Sequence, residues 1–144
     1  MVTRTSGWRA AGLLWCAAAA IAAVQAPQVM KVSIDVKPGD TPTTLERDRG
    51  GLVPVAVLST AQFDALTIDV ETIRIGPSGE EAEPTRTSAS DVNDDRRPDL
   101  LVLVKVPDLQ LRCTDKVIKL TARTQAGVPI EGSEAVTITG CGRP

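Results

Sequence analysis

Leu100-Leu101-Val102-Leu103-Val104-Lys105-Val106, stopped by Pro107, is the most hydrophobic segment of residues 27–144. A short apolar run bounded by a proline and rich in branched side chains reads as a buried β-strand central to a sheet. Its neighbours carry the same signature. Val32, Ile34 and Val36 alternate with Ser33, Asp35 and Lys37, and Pro38-Gly39-Asp40 ends that strand. Leu52 to Leu58 is a second continuous apolar run, opened by Gly50-Gly51. Pro54 within it lacks an N–H, which predicts an edge strand or a bulge.

Further along, Ser59 or Thr60 can cap one helical turn that points Phe63 and Leu66 at the core. Ile73 and Ile75 alternate with Thr72 and Arg74 before Gly76-Pro77, and residues 78–84 read as an exposed acidic loop. Ile118, Leu120 and Ala122 share one strand face, Val136 and Ile138 another, and Gln125-Ala126-Gly127 makes the turn before a short strand near Val128–Ile130. Six to eight short strands parted by Gly/Pro turns, with almost no helix, predict an all-β fold, a single antiparallel β-sandwich of immunoglobulin-like size.

The N-terminal region is different. A basic start (Arg4, Arg9), an apolar stretch from Ala10 to Val24 and small residues after it form the three-part order of a helical secretory signal peptide, assigned to 1–26. At about fifteen mostly alanine residues, the stretch falls short of the roughly twenty that a membrane span needs. A buried Ala-rich helix and an uncleaved anchor are the alternatives. Residues 27–144 then form the one sandwich domain, secreted to the periplasm or the exterior, with no membrane role for the mature domain.

Removal of the leader takes both tryptophans and Cys16 with it. What remains has no His, Tyr or Trp and a single aromatic, Phe63. Without His there is no Ser-His or Cys-His nucleophile pair, and stacking of sugars on aromatic platforms is poorly served. Loss of Arg4 and Arg9 leaves 14 basic against 18 acidic residues, net −4, which disfavours nucleic acid as a partner. Cys113 and Cys141 are an even pair in an oxidising compartment and predict a disulfide.

The candidate chemistry lies in Asp91-Val92-Asn93-Asp94-Asp95-Arg96-Arg97-Pro98-Asp99. Oxygen-bearing groups recur at alternate residues: the side chains of Asp91, Asn93 and Asp95, the carbonyl of Arg97 and the side chain of Asp99. That is the spacing with which a chain coiled about one point offers oxygens to Ca²⁺. Asp94 then faces outward. Arg96 stands where glycine usually permits positive φ, and Val102 stands where a bidentate glutamate usually closes the site, so weak binding is expected. The competing reading is a turn whose Asp and Asn side chains cap their own backbone and pair with Arg96 and Arg97. Strand-like residues on both flanks favour a hairpin over a helix-loop-helix hand.

The span from Val32 to Cys141 resembles a group of secreted bacterial domains of unknown function. The resemblance is carried by Ile34-Asp35-Val36-Lys37-Pro38-Gly39, Val53-Pro54-Val55-Ala56-Val57-Leu58-Ser59-Thr60, Phe63-Asp64, the 91–100 loop and Pro129-Ile130-Glu131-Gly132-Ser133. Members usually show an Asp-x-Asn-Gly-Asp-Gly loop, similar to those of dockerins and integrin-type hairpin repeats. This chain departs from it at Asp94 and Arg96. The resemblance implies a β-sandwich and an extracellular place, and transfers no activity.

The expected function is a secreted, non-enzymatic Ca²⁺-binding structural or binding module with an extracellular protein or polysaccharide partner. The alternative is a disulfide-stapled self-association or adhesion domain without metal, using an exposed strand edge near Leu52–Leu58. A carboxylate-dependent glycan hydrolase is the least favoured reading.

Overall fold

The computed structural model describes Gly12 and residues 20–142. Most of the leader assigned to 1–26 lies outside the described residues, while residues 20–26 are exposed and belong to no strand. In chain order the strands are β1 (Met30–Lys31), β2 (Ile34–Val36), β3 (Thr44–Glu46), β4 (Leu52–Val57), β5 (Ile68–Gly76), β6 (Arg86–Ser90), β7 (Asp99–Lys105), β8 (Val117–Thr124), β9 (Pro129–Ala135) and β10 (Thr137–Thr139). One four-stranded sheet runs β1-β9-β8-β5 and the other β2-β4-β7-β6, while β3 and β10 form a separate parallel pair. Within the four-stranded sheets every pairing except β1–β9 is antiparallel.

The fold is all-β and sandwich-like, as the turn-punctuated apolar runs predict. Its core is built from alternate residues of the two sheets. Val55, Val57, Val102 and Val104 from one, and Ile73, Ile75, Ile118, Leu120 and Ile130 from the other, are all essentially inaccessible to water. The run 100–106 is central, flanked by β4 and β6, with Leu101 and Leu103 half-buried on its outer face.

Three local expectations are corrected. β4 is not an edge, because it pairs with β2 on one side and β7 on the other. Pro54 is tolerated because its ring nitrogen faces the β2 side just where that strand ends, and only its carbonyl is used there, accepting the Lys37 N–H at 2.8 Å. The edge near Leu52–Leu58 invoked for self-association therefore does not exist. The helical turn is a 3₁₀ turn at Ala65–Thr67, capped by Asp64, whose Oδ1 accepts the Leu66 N–H at 2.9 Å. Its tighter winding faces Ala65 to the core and leaves Leu66 outside, with Phe63 packed partly against the core. The acidic loop is not wholly exposed, since Ala82 is buried by a two-way backbone pairing with Ile75.

The strand expected over Val32 to Val36 is split between the sheets. Val32 N–H donates to the Glu131 carbonyl in one sheet, and the next residue, Ser33, accepts from Leu58 N–H in the other. Gly132 of β9 lies beneath this crossing. A Cβ there would sit 2.5 Å from Ile34 Cγ2 and 3.0 Å from the Val32 carbonyl oxygen, and the backbone atom cannot move aside cheaply. Gly132→Ala is expected to cost about 1–3 kcal/mol by overpacking. Urea unfolding measures it, and an unchanged midpoint would show that the crossing is slack.

Candidate functional site

Ser90 of β6 pairs with Asp99 of β7, so residues 91–98 are the connection of a β-hairpin. Strands flank the loop on both sides, as the sequence predicts. Within it, Asp91 accepts the Asp95 N–H at Oδ1 (3.2 Å) and the Arg96 N–H at Oδ2 (2.8 Å). Asn93 Oδ1 accepts the same Asp95 N–H at 3.2 Å. Asp95 Oδ1 accepts from Arg97 N–H at 2.8 Å, and its Oδ2 lies 3.8 Å from Arg97 Nη1. The backbone reaches this coil through left-handed residues at Asp94 (φ 58°) and Arg96 (φ 65°). Arg96 adopts the glycine-like conformation at a strain cost of about 1 kcal/mol.

Asp99 is placed differently from Asp91, Asn93 and Asp95. Its side chain is fully buried, with Oδ1 accepting Ser59 N–H at 2.8 Å and Oδ2 accepting Val92 N–H at 3.0 Å. Ser59 completes the junction: its hydroxyl donates to the Pro98 carbonyl at 2.8 Å and accepts the Ala65 N–H at 2.9 Å. Asp99 thus fastens the hairpin base to the end of β4, a job the alternate-oxygen spacing did not suggest. Among the described residues, no three His, Cys, Asp or Glu side chains stand close enough to form a metal-holding group. Asp91, Asp95 and Asp99 therefore do not gather at one centre. The observed bonding within the loop is the self-capping arrangement, with Arg97 as the cationic neighbour.

Sequence reasoning gave Ser59 only a capping role at the helical turn, which its bond from Ala65 N–H fits, and overlooked its links to Asp99 and Pro98. The available signal was a hydroxyl residue directly after the apolar run of β4, where a strand end needs a hydrogen-bond partner.

Glu81, Glu83 and Glu134 are also engaged in structural bonds. Burial alone would raise the Glu81 pKa, but hydrogen bonds from the Ser78 hydroxyl and from loop amides hold it below the usual carboxylate range. Its oxygens accept from the N–H groups of Ser78, Gly79 and Glu80 at 3.0, 3.1 and 3.0 Å. Asp35 is pushed up, first by burial and then by the charge of Glu134. Glu134 itself accepts from Val36 N–H and from the Thr43 hydroxyl. An open cleft of about 320 Å³ between β5 and β6 contains Glu71 and Glu83, the latter paired with Arg74 at 2.9 Å.

Cys113 and Cys141 form a disulfide with a Cα–Cα distance of 6.0 Å, as the even count predicts. No helix among the described residues is long and apolar enough to cross a membrane. No protein-family model matches the chain, and no curated protein matches it.

Proposed function

We propose that the chain is an exported β-sandwich module whose 91–97 bend takes up Ca²⁺ weakly and is ordered by it. The supporting observation is that oxygens from alternate residues, Asp91 Oδ1 and Asn93 Oδ1, already meet on a single amide, that of Asp95. The bend enclosing them is formed by two left-handed residues. In this reading the Asp91, Asn93 and Asp95 side chains and the Arg97 carbonyl hold the cation in place of the N–H groups they now accept. Asp99 holds the base of the hairpin and is not a ligand. Arg96 and Arg97 oppose cation binding, consistent with an affinity on the order of 10⁻⁴ to 10⁻³ M, as in extracellular modules. The leader at 1–26 and the disulfide support export. The ordered hairpin then presents a surface to an extracellular protein or polysaccharide.

Thermal melting with Ca²⁺ and with chelator tests the proposal. With an affinity of about 0.1 mM, about 1 mM Ca²⁺ adds roughly 1.4 kcal/mol of stability. The gain should vanish in an Asp91→Ala/Asp95→Ala variant. Superimposable melts of the unaltered protein would remove the metal from this reading.

A further inference from the structure

A sheet edge carries unpaired N–H and C=O groups and invites another strand, so proteins ordinarily obstruct their edges. The two four-stranded sheets have four edges: β1, β5, β2 and β6. Three are obstructed. β1 is two residues long and carries Lys31 in an ion pair with Glu131 at 3.0 Å. On β2, the outward N–H of Val36 is taken by the carboxylate of Glu134. On β5, Ile75 pairs outward with Ala82, and Arg74 Nη1 covers the carbonyls of Ile73 (2.7 Å) and Glu71 (3.1 Å). Glu83 holds that guanidinium in place.

β6 has no such cover. Lys37 N–H bonds to the Pro54 carbonyl and Leu58 N–H to the Ser33 carbonyl, so the even-numbered residues of β4 face β2. Val53, Val55 and Val57 then face β7, which turns Val104, Val102 and Leu100 toward β4 and Leu103, Leu101 and Asp99 toward β6. Their partners on β6 are Arg86, Ser88 and Ser90. By alternation, the backbone groups of Thr87 and Ala89 point away from the sheet, and no described residue bonds to them. From Thr87 to Ser90 the strand is small and uncharged, without Pro or Lys to repel a partner.

We propose that β6 is a dimerisation edge, pairing antiparallel with β6 of a second copy about a two-fold axis through Ser88. In that register Thr87 of each copy exchanges both backbone hydrogen bonds with Ala89 of the other, and the two sheets join into one of eight strands. Charge selects this occupant and direction. Arg86 opens the strand and Asp91 follows its end, so antiparallel self-pairing lays the cationic end of each copy beside the anionic end of the other. Parallel pairing would set like against like. The interface is isologous and closes at two copies.

Analytical ultracentrifugation of the purified protein across a wide concentration range should show a monomer–dimer equilibrium. Ala89→Pro removes an N–H that serves no bond within the fold, so it should weaken dimerisation by about tenfold or more while leaving the monomer's melting curve in place. Arg86→Glu should weaken it through repulsion from Asp91. Independently of any variant, the amides of Thr87 and Ala89 should gain hydrogen-exchange protection as the unaltered protein is concentrated. A monomer at every concentration, a dimer insensitive to both substitutions, or Thr87 and Ala89 amides unprotected in a dimer each overturn the proposal. So does a monomer that pairs β6 with an added extended peptide and not with itself.

Discussion

Asp99→Ala is expected to destabilise the domain by about 3–5 kcal/mol, because it removes a fully buried carboxylate that accepts two backbone N–H groups. Ser59 N–H would be left without an acceptor in a buried place and Val92 N–H in a half-buried one, and the removed atoms would leave a void at the foot of the hairpin. The loss should spread, since Ser59 also bonds to Pro98 and to Ala65 at the entry of the 3₁₀ turn. Asp99→Asn keeps one acceptor but sets an NH₂ group against the other N–H, so it should recover only part of the loss. Urea unfolding in chelator and again in Ca²⁺ separates this role from metal ligation. An anchoring carboxylate is missed equally in both, whereas a pure ligand is missed only with the cation present. A loss below about 1 kcal/mol in chelator would remove the anchoring role.

The same residue shows how far the sequence could be read. Strand positions followed from period and punctuation: Val102 and Val104, or Ile118 and Leu120, are buried where alternation puts them. The hairpin around residues 91–98 was legible from strand-like flanks. What was not legible depends on which strands lie side by side. Pro54 argued for an edge because proline lacks a donor, yet a neighbouring strand that ends at Val36 leaves that donor unneeded. Strand length in β2 is a tertiary quantity, invisible from Pro54 alone. Likewise Asp99 fits a ninth-position ligand by spacing, but Ser59, distant in sequence, supplies the N–H that claims its Oδ1. Of the proposed ligands, those that depend only on local chain geometry, Asp91, Asn93 and Asp95, do turn into the bend together. β6 was missed as a strand in its own right because Ala89 is the one apolar residue from Arg86 to Ser90 and every residue but the half-buried Thr87 is exposed, so no apolar alternation marks it.

Replacing both Cys113 and Cys141 by serine is expected to cost about 3–4 kcal/mol, the chain-entropy value for releasing a loop of this size. The bridge lies where other restraints are few. Beyond β9 the chain is held by the three-residue parallel pairing of β10 with β3, by the burial of Val136 and Ile138, and by close packing of Gly140 on the turn at Arg47–Arg49. A short parallel pair of this kind is weak alone, and the disulfide fixes its far end to the segment that follows Leu111. The damage should therefore begin locally. Hydrogen exchange in the double-serine variant is expected to accelerate first at Thr137–Thr139 and Thr44–Glu46, with the amides of β7 and β8 affected only through the fall in global stability. Reduction of the unaltered protein should reproduce both effects. If the variant loses 3–4 kcal/mol while β3 and β10 exchange no faster than the central strands, the bridge acts on the unfolded chain alone. A loss under about 1 kcal/mol would mean that the β10 pairing holds the C-terminal segment without it.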